Sequence, residues 1–212
     1  MIINTKEKTS AENYHLMTQT IVPRPIAWVI SDNGNESFNL APFSYFNAVC
    51  TEPPLIMLSI SKKKDNLGEP IKKDTWINIE ERKNFVINIS SVEMKDSVLK
   101  TAEALPFGQS ELEYAGLETV AFDDEIIFPR LKDCKIAFYC SLFQIIELGP
   151  LPQGLILGEI HKVFVDDSIV SVADNGRVSV DPFALNPLGR LGSMTGSNVA
   201  NSFCGIERVY EA

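Results

Sequence analysis

The sequence is poor in the residues that build metal and thiol centres: its two histidines, His15 and His161, lie far apart, and none of its four cysteines stands in a CxxC spacing. A zinc cluster or a thioredoxin-type pair needs such residues a few positions apart, so neither is signalled and no metal is expected. Positive charge is also scarce. Nineteen Lys and Arg face 28 Asp and Glu, giving a formal net charge of -9. Nucleic acids and anionic membranes are gripped through clustered cations, which argues against both as partners. No apolar run approaches the ~18 residues of a membrane span, and the polar start MIINTKEKTSAENY lacks the apolar stretch of a signal peptide. The expected location is cytoplasmic, with reduced thiols.

What is present points to β-structure. The 212 residues are 45% hydrophobic, enough for one sizeable core. Ile26-Ala27-Trp28-Val29-Ile30 reads as a strand closed by the turn Ser31-Asp32-Asn33-Gly34-Asn35. Phe38 to Val49 mixes small, polar and aromatic residues, as in a strand whose backbone approaches something flat. Leu55 to Ser61 reads as a strand buried on both faces, and Phe85 to Ser90 alternates as another. Cys134 to Glu147 and Leu155 to Asp166 form a long antiparallel hairpin. Three helices are expected. One spans Asp74 to Lys83, with Asp74 or Thr75 as N-cap. A second opens on the capping box Ser90-Ser91-Val92-Glu93 and must end by Pro106. A third starts at Ser110 and stops near Gly116. Strands outnumber helices, so the expected class is mainly β, a closed or partly closed antiparallel barrel with a few peripheral helices.

Two features could carry chemistry. Between Ser61 and Thr75 five lysines (Lys62, Lys63, Lys64, Lys72, Lys73) outnumber three carboxylates (Asp65, Glu69, Asp74) in a chain that is otherwise acidic. A lysine-rich loop by itself can simply keep an edge soluble. This one leads into the start of a helix, where free N–H groups and the positive dipole end favour an anion such as a phosphate monoester. Asp74 would repel that anion and is expected to organise the loop instead. The second feature is Asn39 to Asn47, which could lie along a planar ring, with Phe43, Tyr45 and Phe46 as apolar walls; a stripe of this kind more commonly belongs to a core.

Pro23-Arg24-Pro25-Ile26-Ala27-Trp28-Val29, Asn39-Leu40-Ala41-Pro42-Phe43-Ser44-Tyr45-Phe46-Asn47, Pro53-Pro54, Lys73-Asp74-Thr75 with Asn78-Ile79, and Phe85-Val86-Ile87-Asn88 together resemble the flavin reductase-like family, flavoredoxin branch. Glu113-Tyr114-Ala115-Gly116-Leu117, Pro129-Arg130 and Leu157-Gly158-Glu159-Ile160 keep the same order. The resemblance covers 23–191, leaving 1–22 as an N-terminal extension and 192–212 as a C-terminal tail. It implies a Greek-key split barrel that dimerises and binds FMN in a cleft lined partly by the partner subunit. Pro42, Phe43, Ser44, Tyr45 and Ala48 would touch the ring or ribityl chain; Ser59, Ser61, Lys63, Thr75 and Asn78 would surround the phosphate. Arg190 would reach the cofactor or a second ligand, and Cys50 would leave a thiol near the flavin.

The resemblance further implies an oxidoreductase that passes hydride from NAD(P)H through flavin to another flavin, a protein or a metal ion, with no side-chain nucleophile. An FMN-holding electron carrier without a nicotinamide site is the alternative. His161 could face the cleft and meet the substrate, although a lone strand histidine is more commonly just solvated. Ser193 to Ser197 is expected to be a flexible tail. The adjacent carboxylates Glu80-Glu81, Asp123-Asp124 and Asp166-Asp167 read as turns and solvated surface.

Overall fold

The structure, a computed structural model, describes residues 1–65, 67–126, 128–150, 153–193 and 202–208. Its frame is a sheet of seven antiparallel strands: β1 (Ala27–Asp32), β2 (Phe38–Phe43), β3 (Phe46–Thr51), β4 (Pro54–Ile60), β5 (Asn84–Ile89), β6 (Ile136–Leu148) and β7 (Gln153–Val165). Their order across the sheet is β2-β1-β5-β6-β7-β4-β3. The outer strands β2 and β3 are consecutive in the chain, with only Ser44 and Tyr45 between them, so the sheet has to curl until its two edges meet. Ser59 N–H donates to Tyr45 O at 2.9 Å, which ties this connection to β4. This is the split antiparallel barrel expected from the strand-rich sequence.

Because strand side chains alternate, β1 feeds two apolar clusters, and this is why its run of Ile, Ala, Trp and Val carries no polar interruption. Trp28 and Ile30 join Leu40, Val86, Leu112 and Leu131 on one face. Ala27 and Val29 join Leu58, Trp76, Phe85 and Ile156 on the other. The hairpin of β6 and β7 is in place as expected, with Ile136 opposite Val165 and Leu148 opposite Gln153.

Among the described residues five α-helices dress the barrel: α1 (Ser10–Thr20), α2 (Asp74–Arg82), α3 (Lys95–Lys100), α4 (Glu111–Ala115) and α5 (Pro182–Leu185). The N-cap of α4 is Ser110, whose Oγ accepts from Glu113 N–H, and Gly116 ends the helix in the left-handed region at φ 68°. Two expectations need correction. The N-cap of α2 is Lys73, without a side-chain cap bond, rather than Asp74 or Thr75. Asp74 is drawn instead into an ion pair with Lys63. The Ser90–Glu93 capping box does not form around Ser91, the N-cap, and a single 3-10 turn at Val92–Met94 precedes α3, which ends at Lys100, short of Pro106.

Both ends of the chain hold more structure than an extension and a tail. In α1, Thr9 Oγ1 accepts from Glu12 N–H at 3.2 Å, and Glu12 returns the bond to Thr9 N–H at 2.9 Å, a capping box that the polar opening masks. That backbone bond holds the Glu12 carboxyl down to about 2. Phe203–Cys204 pairs with Gly189–Arg190, which pairs in turn with Arg24–Pro25. The buried Arg24 guanidinium locks these pieces together, donating to Thr18 O at 2.8 Å, Ile21 O at 2.7 Å and Leu191 O at 3.3 Å. Of the Ser193–Ser197 stretch, all but Ser193 lies outside the described residues.

Two predictions test the packing. A Cβ on Gly158 of β7 would sit 2.5 Å from Phe85 Cζ, inside the cluster and with no free volume to move into. Gly158→Ala should therefore cost about 1–3 kcal/mol, read as a lower denaturant midpoint at unchanged slope. Cys134 and Cys140 are buried, and burial pushes the Cys134 thiol up to about 12 and Cys140 upward as well, whereas Cys50 on β3 is exposed. A thiol-reactive dye should reach Cys134 and Cys140 only on unfolding.

Candidate functional site

A cavity of about 450 Å³ opens where the N-terminus of α2 meets the end of β2 and the α3–α4 segment. The elements bring the residues together for simple reasons. Trp76 and Ile79 are fully buried in the barrel cluster, which drives α2 into the barrel and leaves its first turn facing the cavity. The N–H groups of that first turn have no partner within the helix, so they present partial positive charge there.

Three lysines of the 61–75 segment are held by carboxylates: Lys63 by Asp74, Lys72 by Glu80 at 2.7 Å, and Lys62 by Glu147 at 4.0 Å. Lys73 differs. It lines the cavity and lies 5.9 Å from the Phe43 ring, and burial, with Lys63 close by, lowers its pKa. A half-buried ammonium that no carboxylate holds is stabilised by an anion, so Lys73 favours negative charge beside it.

The end of β2 forms a further part of the wall. Pro42, Phe43 and Ser44 line it, with Phe43 only 8% exposed. Arg24 supports this edge from behind, its Nε 3.4 Å from Ser44 Oγ. At the rim, Arg190 stacks 4.9 Å from the Phe203 ring, and burial lowers its pKa. Tyr14 of α1 completes that side, 6.4 Å ring to ring from Tyr45. The Tyr45 hydroxyl is enclosed without a protein partner, and burial raises its pKa.

Of the residues singled out in the sequence, the structure brings Pro42, Phe43, Ser44, Lys63, Thr75 and Arg190 to the cavity wall. Others sit elsewhere. Asn78 is buried on another side of α2, its Nδ2 donating to Asn33 Oδ1 at 2.9 Å and lying 3.2 Å from Ser31 Oγ. Ser59 donates to Gln153 at 3.0 Å. Ser61 and Ala48 are exposed, and Ala48 lies on the edge strand β3 with Cys50, whose Sγ donates to Glu52 O at 3.3 Å. His161 is exposed and bonds Ser141 Oγ at 2.7 Å, away from the cavity lining.

The sequence reading missed Lys73 as the lysine aimed inward, Glu111, the Arg24 clamp, and Tyr14. It also missed Val98 to Leu105, which forms the side wall. Of these, only Tyr14 had a local sequence signal, the Thr9/Glu12 capping box that makes its segment a helix. Among the described residues no group of three or more His, Cys, Asp or Glu is placed to hold a metal ion. No described helix is long and apolar enough to cross a membrane.

Comparison with known proteins agrees with this architecture. The model of the flavin reductase like domain matches residues 17–178. A protein of Aquifex aeolicus is 36% identical over 189 residues, covering 88% of this chain and 90% of its own. The crystal structure of nitrilotriacetate monooxygenase component B from Bacillus cereus superposes with a TM-score of 0.85 at 31% identity, covering 100% of this chain and 98% of that one. The 2-nitrobenzoate 2-nitroreductase NbaA of Pseudomonas fluorescens gives 0.82 at 27% identity, covering 100% and 95%. With a family model spanning both the barrel and the cavity-lining helices, the chain belongs to the flavin reductase-like family, and its function is flavin-related redox chemistry.

Proposed function

We propose that the cavity holds FMN, its phosphate at the start of α2 and its ring along the Pro42–Ser44 edge, in an NAD(P)H-dependent oxidoreductase that passes electrons to a further acceptor. The observation that carries this is the half-buried Lys73 beside the free N–H groups of α2, in a cavity that the Pro42–Ser44 strand edge also lines. The residues present fit the group. A phosphate supplies the negative charge that Lys73 lacks, and the N–H groups of Thr75 and Trp76 are donors without a helical partner. The cavity volume of about 450 Å³ falls in the usual range for small-molecule sites.

Bound there, a flavin would supply hydride acceptance and the release of electrons one or two at a time. The chain's own residues bind, orient and exclude water. Lys63, held by Asp74, keeps the lysine loop folded over the phosphate end. Arg24 fixes Ser44 so that the β2 edge presents its backbone in one conformation. Tyr14 and the Arg190–Phe203 stack narrow the mouth. The fully exposed run from Asn47 to Thr51 on β3 supports the pairing of a second copy at that edge, which would bring Ala48 and Cys50 into an interface. The name of one relative as a monooxygenase component fits a chain that hands reducing equivalents to a second protein.

Titration with FMN, followed by flavin fluorescence and by oxidation of NADH and NADPH, tests this reading. The wild type should bind FMN and oxidise at least one nicotinamide. Lys73→Ala should weaken FMN by roughly 1.5–3 kcal/mol, the range of a hydrogen bond to a charged group, and should flatten the salt dependence. Lys64→Ala, on the exposed side of the loop, should leave both unchanged. Failure of the wild type to bind FMN would refute the proposal. Bound flavin that only a partner protein reduces would make the chain a carrier instead.

A further inference from the structure

Glu111 is 7% exposed at the first position of α4, where solvation cannot stabilise its charge. Ser110 ties the start of α4 to β2 by donating to Phe38 O at 2.7 Å, so the carboxyl is fixed against that strand. Its Oε2 lies 3.1 Å from Leu40 N and accepts that hydrogen bond. Asn39 separates the carboxyl from Thr75, the second residue of α2; one orientation of its amide satisfies both neighbours as they stand, and the reverse needs a proton on the carboxyl. In one, Nδ2 donates to Glu111 Oε2 at 3.2 Å while Oδ1 accepts from Thr75 Oγ1 at 2.8 Å. In the other, Nδ2 donates to Thr75 Oγ1 at 2.8 Å and Oδ1 faces the carboxyl.

These orientations belong to different protonation states. An ionised Glu111 can only accept, so the amide turns its nitrogen to it and the Thr75 hydroxyl proton points inward, to Asn39. The Thr75 oxygen then offers the cavity only lone pairs. A protonated Glu111 donates its O–H to Asn39 Oδ1, the amide reverses, and Thr75 accepts from Nδ2. Its own proton is then released toward the cavity. One proton taken from solvent onto the carboxyl thus appears as one hydrogen-bond donor at the anion end.

We propose that Glu111, Asn39 and Thr75 form a proton-coupled relay, so that binding of the flavin phosphate is accompanied by uptake of a proton at Glu111. The relay rests on the FMN reading above. Burial raises the Glu111 pKa, and Asp74 on α2 raises it further, opposed by the Leu40 N–H and by Lys63. Lys73, Glu103 and Arg190 are the other charged groups on the cavity wall, while Glu113 on α4 faces solvent. A phosphate adds negative charge at the same place as Asp74 and pushes in the same direction.

The test is the FMN dissociation constant from mildly acid to mildly alkaline pH, for the wild type and Glu111→Gln. Glutamine cannot ionise, so its dissociation constant carries no contribution from titration at this position. The phosphate's own ionisation affects both proteins alike. The ratio of wild-type to Glu111→Gln dissociation constants should rise with pH by up to about tenfold per unit, the slope for one proton. Calorimetry in buffers of different ionisation enthalpy should count up to one more proton for the wild type. In a Thr75→Val background the difference between Glu and Gln at 111 should collapse, because the hydroxyl that transmits it is gone. Parallel pH profiles in the first pair would overturn the relay. A difference that persists in the valine background would assign the coupling to charge alone and overturn it too. Wild-type protein that binds no FMN at any pH would remove the flavin reading and the relay with it, whereas parallel profiles at intact affinity remove the relay alone.

Discussion

One electrostatic constraint organises the cavity: the half-buried Lys73 ammonium sits at the start of α2 while the neighbouring Asp74 carboxylate is committed to Lys63. Trp76 and Ile79 enforce the arrangement, since withdrawing α2 from the barrel would expose two fully buried apolar side chains, at about 1.5–3 kcal/mol each. Apolar packing therefore holds a positively polarised helix end at a cavity. An ammonium held there without a paired carboxylate is stabilised by an anion.

The other elements serve this end of the barrel. The seam between β2 and β3 brings the Pro42–Ser44 edge opposite α2, because a two-residue connection forces the outer strands of one sheet to meet. Arg24 answers several backbone carbonyls at once, and so attaches α1 and the returning C-terminal strand to the cavity rim. Asp74 completes the loop by holding Lys63, which leaves Lys73 as the cavity-lining lysine of the described segment that no carboxylate holds.

Much of the barrel was legible because its strands are unusually explicit. The run around Trp28 is apolar on both faces, and the β6–β7 hairpin is rich in strand-forming residues over thirteen residues a side. Site residues were legible where local sequence decides them, as at Pro42–Ser44 and the lysine loop. Asn78 shows the limit. Being one helical turn from Thr75 says that the two share a helix, but the polar Ser31 and Asn33 of the β1–β2 turn captured its amide, and nothing near Asn78 in the chain announces them. Glu111 was invisible for the same reason, since its partners Asn39 and Leu40 stand about seventy residues away. The Ser91 cap failed because its segment bends toward Pro187 and Asn186 instead of continuing as a helix.

The account stands or falls on where the phosphate lies. A crystal structure of the protein grown with FMN measures this directly. Phosphate oxygens within hydrogen-bond distance of the Lys73 ammonium and the Thr75 and Trp76 N–H groups, with the ring along Pro42–Ser44, are the predicted result. A flavin bound elsewhere, with Lys73 and the first turn of α2 left to solvent, would contradict it.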